Sequence, residues 1–115
     1  MEQIYKRGEI VFCELGDIVD KNVQAGDRPA LIIQNNIGNE KAPTTVILPL
    51  SKKVNKKYPF HVQIEKDKYN LKYDSIVLCE QPRTINKGRI TRKISKLDDI
   101  DMGKVDYVMK WQLSI

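Results

Sequence analysis

Phe60-His61-Val62-Gln63-Ile64-Glu65 alternates apolar and polar side chains without a break. A period of two sets Phe60, Val62 and Ile64 on one face of a strand and His61, Gln63 and Glu65 on the other. Such a strand belongs to an antiparallel sheet that is packed on one side and wet on the other. Upstream, Thr45–Leu50 reads as a strand in which Pro49 calls for an edge, a bulge or the strand's end, since proline offers no N–H to a ladder. Two further strands, Ala30–Gln34 and Glu9–Leu15, flank a loop from Gly16 to Pro29 rich in Gly, Asp and Asn. Asn35-Asn36-Ile37-Gly38-Asn39 reads as a turn. Downstream come a single helical turn at Asp67–Asn70, a buried strand at Ser75–Gln81, and short extended pieces at Arg83–Ile85 and Gly88–Lys93.

One long helix is expected from Asp98 onward. Asp98 can cap the free N–H groups, and Asp99 and Asp101 complement the positive end of the helix dipole. Met102, Val105, Val108 and Met109 recur at three- and four-residue spacing and form an apolar stripe to lay on the sheet. Gly103 inside it costs about 1 kcal/mol relative to alanine. Trp111, Leu113 and Ile115 exceed what one stripe needs, and either finish the core or make a dimer face. The fold class is therefore mainly β with minor α: a small barrel or strongly bent antiparallel sheet with a C-terminal helix, curled so that short strands protect their edges.

The 115 residues fit a single domain, residues 1–115, with room for one hydrophobic core but not two. Apolar residues make up 41% and charged residues 30%, an ordinary folded balance. No apolar run reaches membrane-spanning length, and the N-terminal residues lack a signal peptide's apolar core, so a cytoplasmic protein is expected. Cys13 and Cys79 lie inside apolar runs and read as buried thiols. With a single histidine, a Cys/His zinc site is short of ligands, and no cofactor is expected. The net charge of +5 favours a polyanionic partner. Lys52, Lys53, Lys56 and Lys57 follow one strand; Lys87, Arg89, Arg92, Lys93 and Lys96 cluster after another.

Chemistry is expected where three segments converge. Gly26-Asp27-Arg28-Pro29-Ala30-Leu31-Ile32-Ile33-Gln34-Asn35 places an arginine on a Gly/Pro-punctuated loop before an apolar strand. Its planar, permanently charged fork matches a phosphate; a loop salt bridge is the plainer reading. Pro49-Leu50-Ser51-Lys52 presents a hydroxyl at a strand end, and Leu78-Cys79-Glu80-Gln81-Pro82-Arg83-Thr84-Ile85 is polar and basic after a buried run.

In this order the segments resemble the MazF/PemK (Kid) family of toxin ribonucleases. The resemblance runs from Lys6-Arg7-Gly8-Glu9-Ile10-Val11-Phe12 through Gly26-Asp27-Arg28-Pro29, Ile32-Ile33-Gln34-Asn35 and Ile37-Gly38-Asn39. It continues through Pro59-Phe60-His61-Val62, Asp74-Ser75-Ile76-Val77-Leu78 and Glu80-Gln81-Pro82-Arg83-Thr84-Ile85 to Ile94-Ser95-Lys96-Leu97-Asp98. It implies a compact SH3-like barrel of the CcdB/MazF type, a homodimer, and metal-free cutting of single-stranded mRNA at short sequences. It also implies a cognate antitoxin whose flexible acidic tail covers the RNA groove. The family's essential arginine falls on Arg28 and its essential Thr or Ser on Ser51.

The loop before the arginine, Asn22-Val23-Gln24-Ala25-Gly26, keeps Gln24 and Gly26 but has Val23 where relatives carry an acidic residue. Asn22 and Gln24 are the candidates there for holding RNA bases. Lys52, Lys53 and Lys56 are either a solvated loop or an attractor for the RNA backbone. Glu80, Gln81, Arg83 and Thr84 are either strand-end polar residues or readers of splayed bases. Tyr58 beside Pro59 offers a stacking surface. His61 reads as a surface or hydrogen-bonding residue before a catalyst. Two other readings stay open: a non-catalytic family member that binds antitoxin or nucleic acid, and a gyrase poison like CcdB. Proteins of the CcdB type act through an ending Trp-Gly-Ile, whereas this chain ends Trp111-Gln112-Leu113-Ser114-Ile115.

Overall fold

The computed structural model describes residues 3–16 and 23–115. Its strands are β1 (Glu9–Glu14), β2 (Asp27–Ile32), β3 (Thr44–Lys52), β4 (His61–Ile64), β5 (Ser75–Leu78), β6 (Arg83–Asn86) and β7 (Ile90–Lys96). The helices are α1 (Asn36–Lys41), α2 (Lys66–Tyr69) and α3 (Asp99–Leu113). The strands form one antiparallel sheet in the order β4-β5-β3-β2-β1-β7, with β6 also paired to β3. Two register shifts between β1 and β7 bend it into a barrel-like shape that does not close.

β3 organises the sheet. β2 pairs along one edge, while β6 takes the other edge from Thr44 to Ile47 and β5 takes it from Leu50 to Lys52. Pro49 therefore sits inside the strand and not at its end. It falls in the gap between β6 and β5, where β3 is paired on the β2 side alone, and there a residue without an N–H is tolerated.

The single core expected of so short a chain is in fact two clusters, one on each side of the sheet. Ile10, Leu31, Leu48, Leu50, Val62, Ile64 and Val77 form the first, under α3. Val11, Cys13, Ala30, Ile32, Ile47, Ile85 and Ile90 form the second. Successive residues of one strand serve opposite clusters, as in Leu31 and Ile32 or Ile47 and Leu48, because side chains alternate across a strand. These central strands are thus buried on both faces, and the expected wet face is confined to shorter stretches such as Gln63 on β4.

Asp98 caps α3 by accepting the Asp101 N–H, as its position predicts. Val105 is fully buried, and Met102, Val108 and Met109 pack against the first cluster. Trp111, Leu113 and Ile115 remain 54%, 48% and 85% exposed, so they do not complete the core. The segment read as a turn at Asn35–Asn39 is instead the start of α1, since the Asn35 side chain accepts the Gly38 N–H and caps a helix. Within it Asn39 is buried and joins Gln34 and Thr45 by hydrogen bonds. Both cysteines are free and buried; burial pushes the Cys13 thiol up to about 11 and that of Cys79 up to about 12. Among the described residues, no helix is long and apolar enough to cross a membrane.

Candidate active site

Alternation carries the second cluster's face outward to polar groups. On β2 the residues Ile32 and Ala30 belong to that cluster, and the next position on the same side is Arg28. On β3 the same side runs Ile47, Pro49, Ser51. The β2–β3 pairing ends at Ala30 and Pro49, and Arg28 and Ser51 each lie two residues beyond it on the same side of their strands. The Arg28 side chain is half-buried and donates from Nε to the Ala25 carbonyl at 3.0 Å and from Nη1 to the Leu50 carbonyl at a long 3.4 Å. Nη2 bonds to no group among the described residues. Burial lowers the pKa of this guanidinium, opposed by the field of the Cys13 thiol.

The stem that carries Arg28 is fixed from several sides. Gly16 and Gly26 both adopt positive φ, 82° and 75°, which a side chain would strain. Their conformation lets Gly26 N–H donate to the Gly16 carbonyl at 2.8 Å and Leu15 N–H to the Gly26 carbonyl at 2.9 Å. Gln81 Oε1 accepts the Gln24 N–H at 3.0 Å. Arg83 donates from Nη2 to the Leu15 carbonyl at 2.8 Å and from Nη1 to the Gln24 carbonyl at 3.3 Å. The glycines bounding the loop were a sequence signal for this pinned base; the carbonyls of Leu15 and Gln24 left none.

The remaining candidates are spread around this centre. Glu80 turns to β4, where its Oε2 lies 3.0 Å from His61 Nε2. His61 is therefore a paired, 10% exposed side chain, and its buried Nδ1 and the buried Glu80 Oε1 bond to no group among the described residues. Tyr58 stacks on Phe60 at 5.0 Å, and the His61 ring meets both edge-on. Lys52 lies over the Tyr73 ring at 4.8 Å and Lys56 over Tyr58 at 5.1 Å, while Lys53 is exposed beside them. Thr84 is exposed and, one residue from Arg83, points to the other side of β6. Asn22 lies outside the described residues. Among the described residues, no three His, Cys, Asp or Glu side chains gather as a metal-binding group.

A family model described as "PemK-like, MazF-like toxin of type II toxin-antitoxin system" matches residues 6–113. The chain belongs to that toxin family. This toxin is 42% identical over 113 residues to the endoribonuclease EndoA of Bacillus subtilis, a match covering 97% of each chain. The fold of MazF from Deinococcus radiodurans superposes with a TM-score of 0.83 at 19% identity, covering 99% of this toxin and 100% of that chain. An endoribonuclease from a mycobacterial species, in complex with its cognate antitoxin, superposes with a TM-score of 0.80 at 20% identity and 96% coverage of both. The barrel-like fold with a C-terminal helix is thus the fold of solved MazF toxins.

Proposed function

We propose that this toxin is a sequence-specific, metal-independent endoribonuclease that cuts single-stranded mRNA, and that Arg28 and Ser51 carry the reaction. The observation that supports this most is a half-buried guanidinium bonded to the carbonyl of Leu50, the residue before Ser51, with Nη2 bonded to no group among the described residues. In the reaction the 2′-oxygen of one nucleotide attacks the adjacent phosphorus and loses its proton. The bond from phosphorus to the 5′-oxygen breaks, and that oxygen gains a proton. The products are a 2′,3′-cyclic phosphate and a 5′-hydroxyl. Arg28 stabilises the charge that builds on the phosphorane, and Ser51 donates a hydrogen bond to one of its oxygens. Burial lowers the Arg28 pKa. An arginine nonetheless stays cationic at neutral pH, so charge stabilisation is its larger part.

The likeness to EndoA supports the activity, and the basic loop after β3 supports an RNA substrate. Purified protein is incubated with a long RNA in excess EDTA and the new 5′ ends are mapped. Cuts at a recurring short sequence with 5′-hydroxyl ends are expected; no cutting, or cutting only with added metal, overturns the reading. Ser51→Ala lowers kcat by about 100-fold, the usual loss for one such donor, whereas Ser51→Thr retains most activity because the hydroxyl remains. Single-turnover cleavage assays check both. Replacing Lys52, Lys53 and Lys56 together by glutamine flattens the dependence of log affinity on log salt by about 2, as three phosphate contacts on a single strand would. Filter binding at several salt concentrations measures it.

The same reading extends to partners. The chain acts in the cytoplasm as the toxin of a pair, as a homodimer that uses the exposed apolar side chains Trp111, Leu113 and Ile115. A cognate antitoxin with a flexible acidic tail lies over the basic groove. Asn22, Gln24 and Glu80 are this toxin's candidates for contacting RNA bases, and Tyr58 is its candidate for stacking on one.

A further inference from the structure

Gln81 lies on the connection from β5 to β6 and Arg83 opens β6, yet their side chains reach back to the stem before β2. Arg83 grips two backbone carbonyls with one guanidinium: Leu15 at 2.8 Å, at the end of β1, and Gln24 at 3.3 Å, just before β2. Those two residues stand at opposite ends of the long loop. Gln81 takes the Gln24 N–H at 3.0 Å, so both polar groups of Gln24's backbone are held by these two residues. Ala25, the next residue, gives its carbonyl to Arg28 Nε at 3.0 Å. A continuous set of bonds thus runs from Arg83 through the Gln24–Ala25 backbone to the guanidinium of Arg28. Alternation places Arg83 on the same side of the sheet as Arg28, since it pairs with Ile47 of the second cluster.

We propose that Arg83 is a positioning residue, assisted by Gln81: it clamps the two ends of the loop together and thereby sets the carbonyl that orients Arg28. It acts through the stem and does not itself contact RNA. The proposal rests on Arg28 being the group that acts on the phosphate. The two carbonyls are held from separate nitrogens, Nη1 and Nη2, at the fixed spacing of a planar fork, which the compact, freely rotating ammonium of a lysine does not reproduce.

The test uses Arg83→Lys and Arg83→Gln in the full chain. Amide hydrogen exchange of the RNA-free protein reads the clamp directly. Exchange at Gln24 and Gly26 is expected to rise about tenfold or more in both variants, with the core strands and Tm unchanged. In cleavage assays both variants lose about 10- to 100-fold in kcat with KM little altered, the cost of a displaced catalytic group. The salt dependence of RNA affinity keeps its slope. A slope reduced by about 0.7 in Arg83→Gln, with loop exchange unchanged, identifies a direct phosphate contact and overturns the proposal. Full kcat in Arg83→Lys overturns it as well. Should the wild-type protein cut no RNA, the proposed activity fails, while the exchange measurement still reports on the clamp.

Discussion

Arg28→Ala is expected to lower RNA cleavage by about 100- to 1,000-fold, about 3–4 kcal/mol of transition-state stabilisation, while the thermal midpoint barely moves. The side chain is half-buried and its protein partners are two backbone carbonyls, Ala25 and Leu50, at the solvent end of the sheet. Water can replace the guanidinium at both, so folding loses little. The reaction loses the guanidinium that is held at the carbonyl of Leu50, the residue before Ser51. Arg28→Lys does not restore it, because a compact ammonium lacks the spread, planar donors that let one guanidinium hold the Ala25 carbonyl from Nε and present Nη2 to a phosphate in a fixed direction. Single-turnover cleavage together with calorimetry separates the two effects, and a native rate in Arg28→Ala sinks the assignment.

Leu48→Ala is expected to do the reverse, costing about 2–5 kcal/mol of stability and a Tm drop of about 10 °C or more. Leu48 is fully buried, pairs across the sheet with Leu31, and belongs to the cluster that also holds Val105 of α3. Little can collapse into the gap because the helix and two strands define its walls. Urea unfolding measures the loss. At low temperature, where the variant remains folded, its cleavage rate stays near that of the wild type, since Leu48 and Ser51 point to opposite sides of β3. A folded Leu48→Ala protein with no activity would show that the two sides are coupled.

The strands were legible because alternation and turn residues leave a local trace. His61–Ile64 and the helix beginning after Asp98 fall within two residues of their expected limits. Pro49 left an edge, a bulge and a strand end open, and the choice of a local edge depends on which neighbours β3 has at that point, which lie elsewhere in the chain. Asn35 was ambiguous for a different reason: a side chain that accepts the N–H three residues on serves a turn or a helix cap equally. The double-sided core was hidden in β2 and β3, whose continuous apolar runs were read without asking what lay on each side.

The candidate site divides in the same way. Arg28 and Ser51 were visible as residue types that handle a phosphate, and their order along the chain carried the family resemblance. The state of Arg83 was not visible, since its acceptors are backbone carbonyls 68 and 59 residues away and any residue type supplies a carbonyl. His61 and Glu80 are 19 residues apart and looked independent; the sheet makes them partners.

The two glycines at the base of the long loop have an evolutionary meaning. With Gly16 and Gly26 bonded to each other, the sequence between them is an insert sealed at its mouth. Doubling the length of such a loop costs only about 0.6 kcal/mol in closure entropy. Residues between Gly16 and Gln24 can be gained, lost or exchanged, as at Val23, provided that the Gln24–Ala25 backbone keeps its bonds to Gln81, Arg83 and Arg28. The loop is thereby free to vary along most of its length while the carbonyl that orients Arg28 stays where it is.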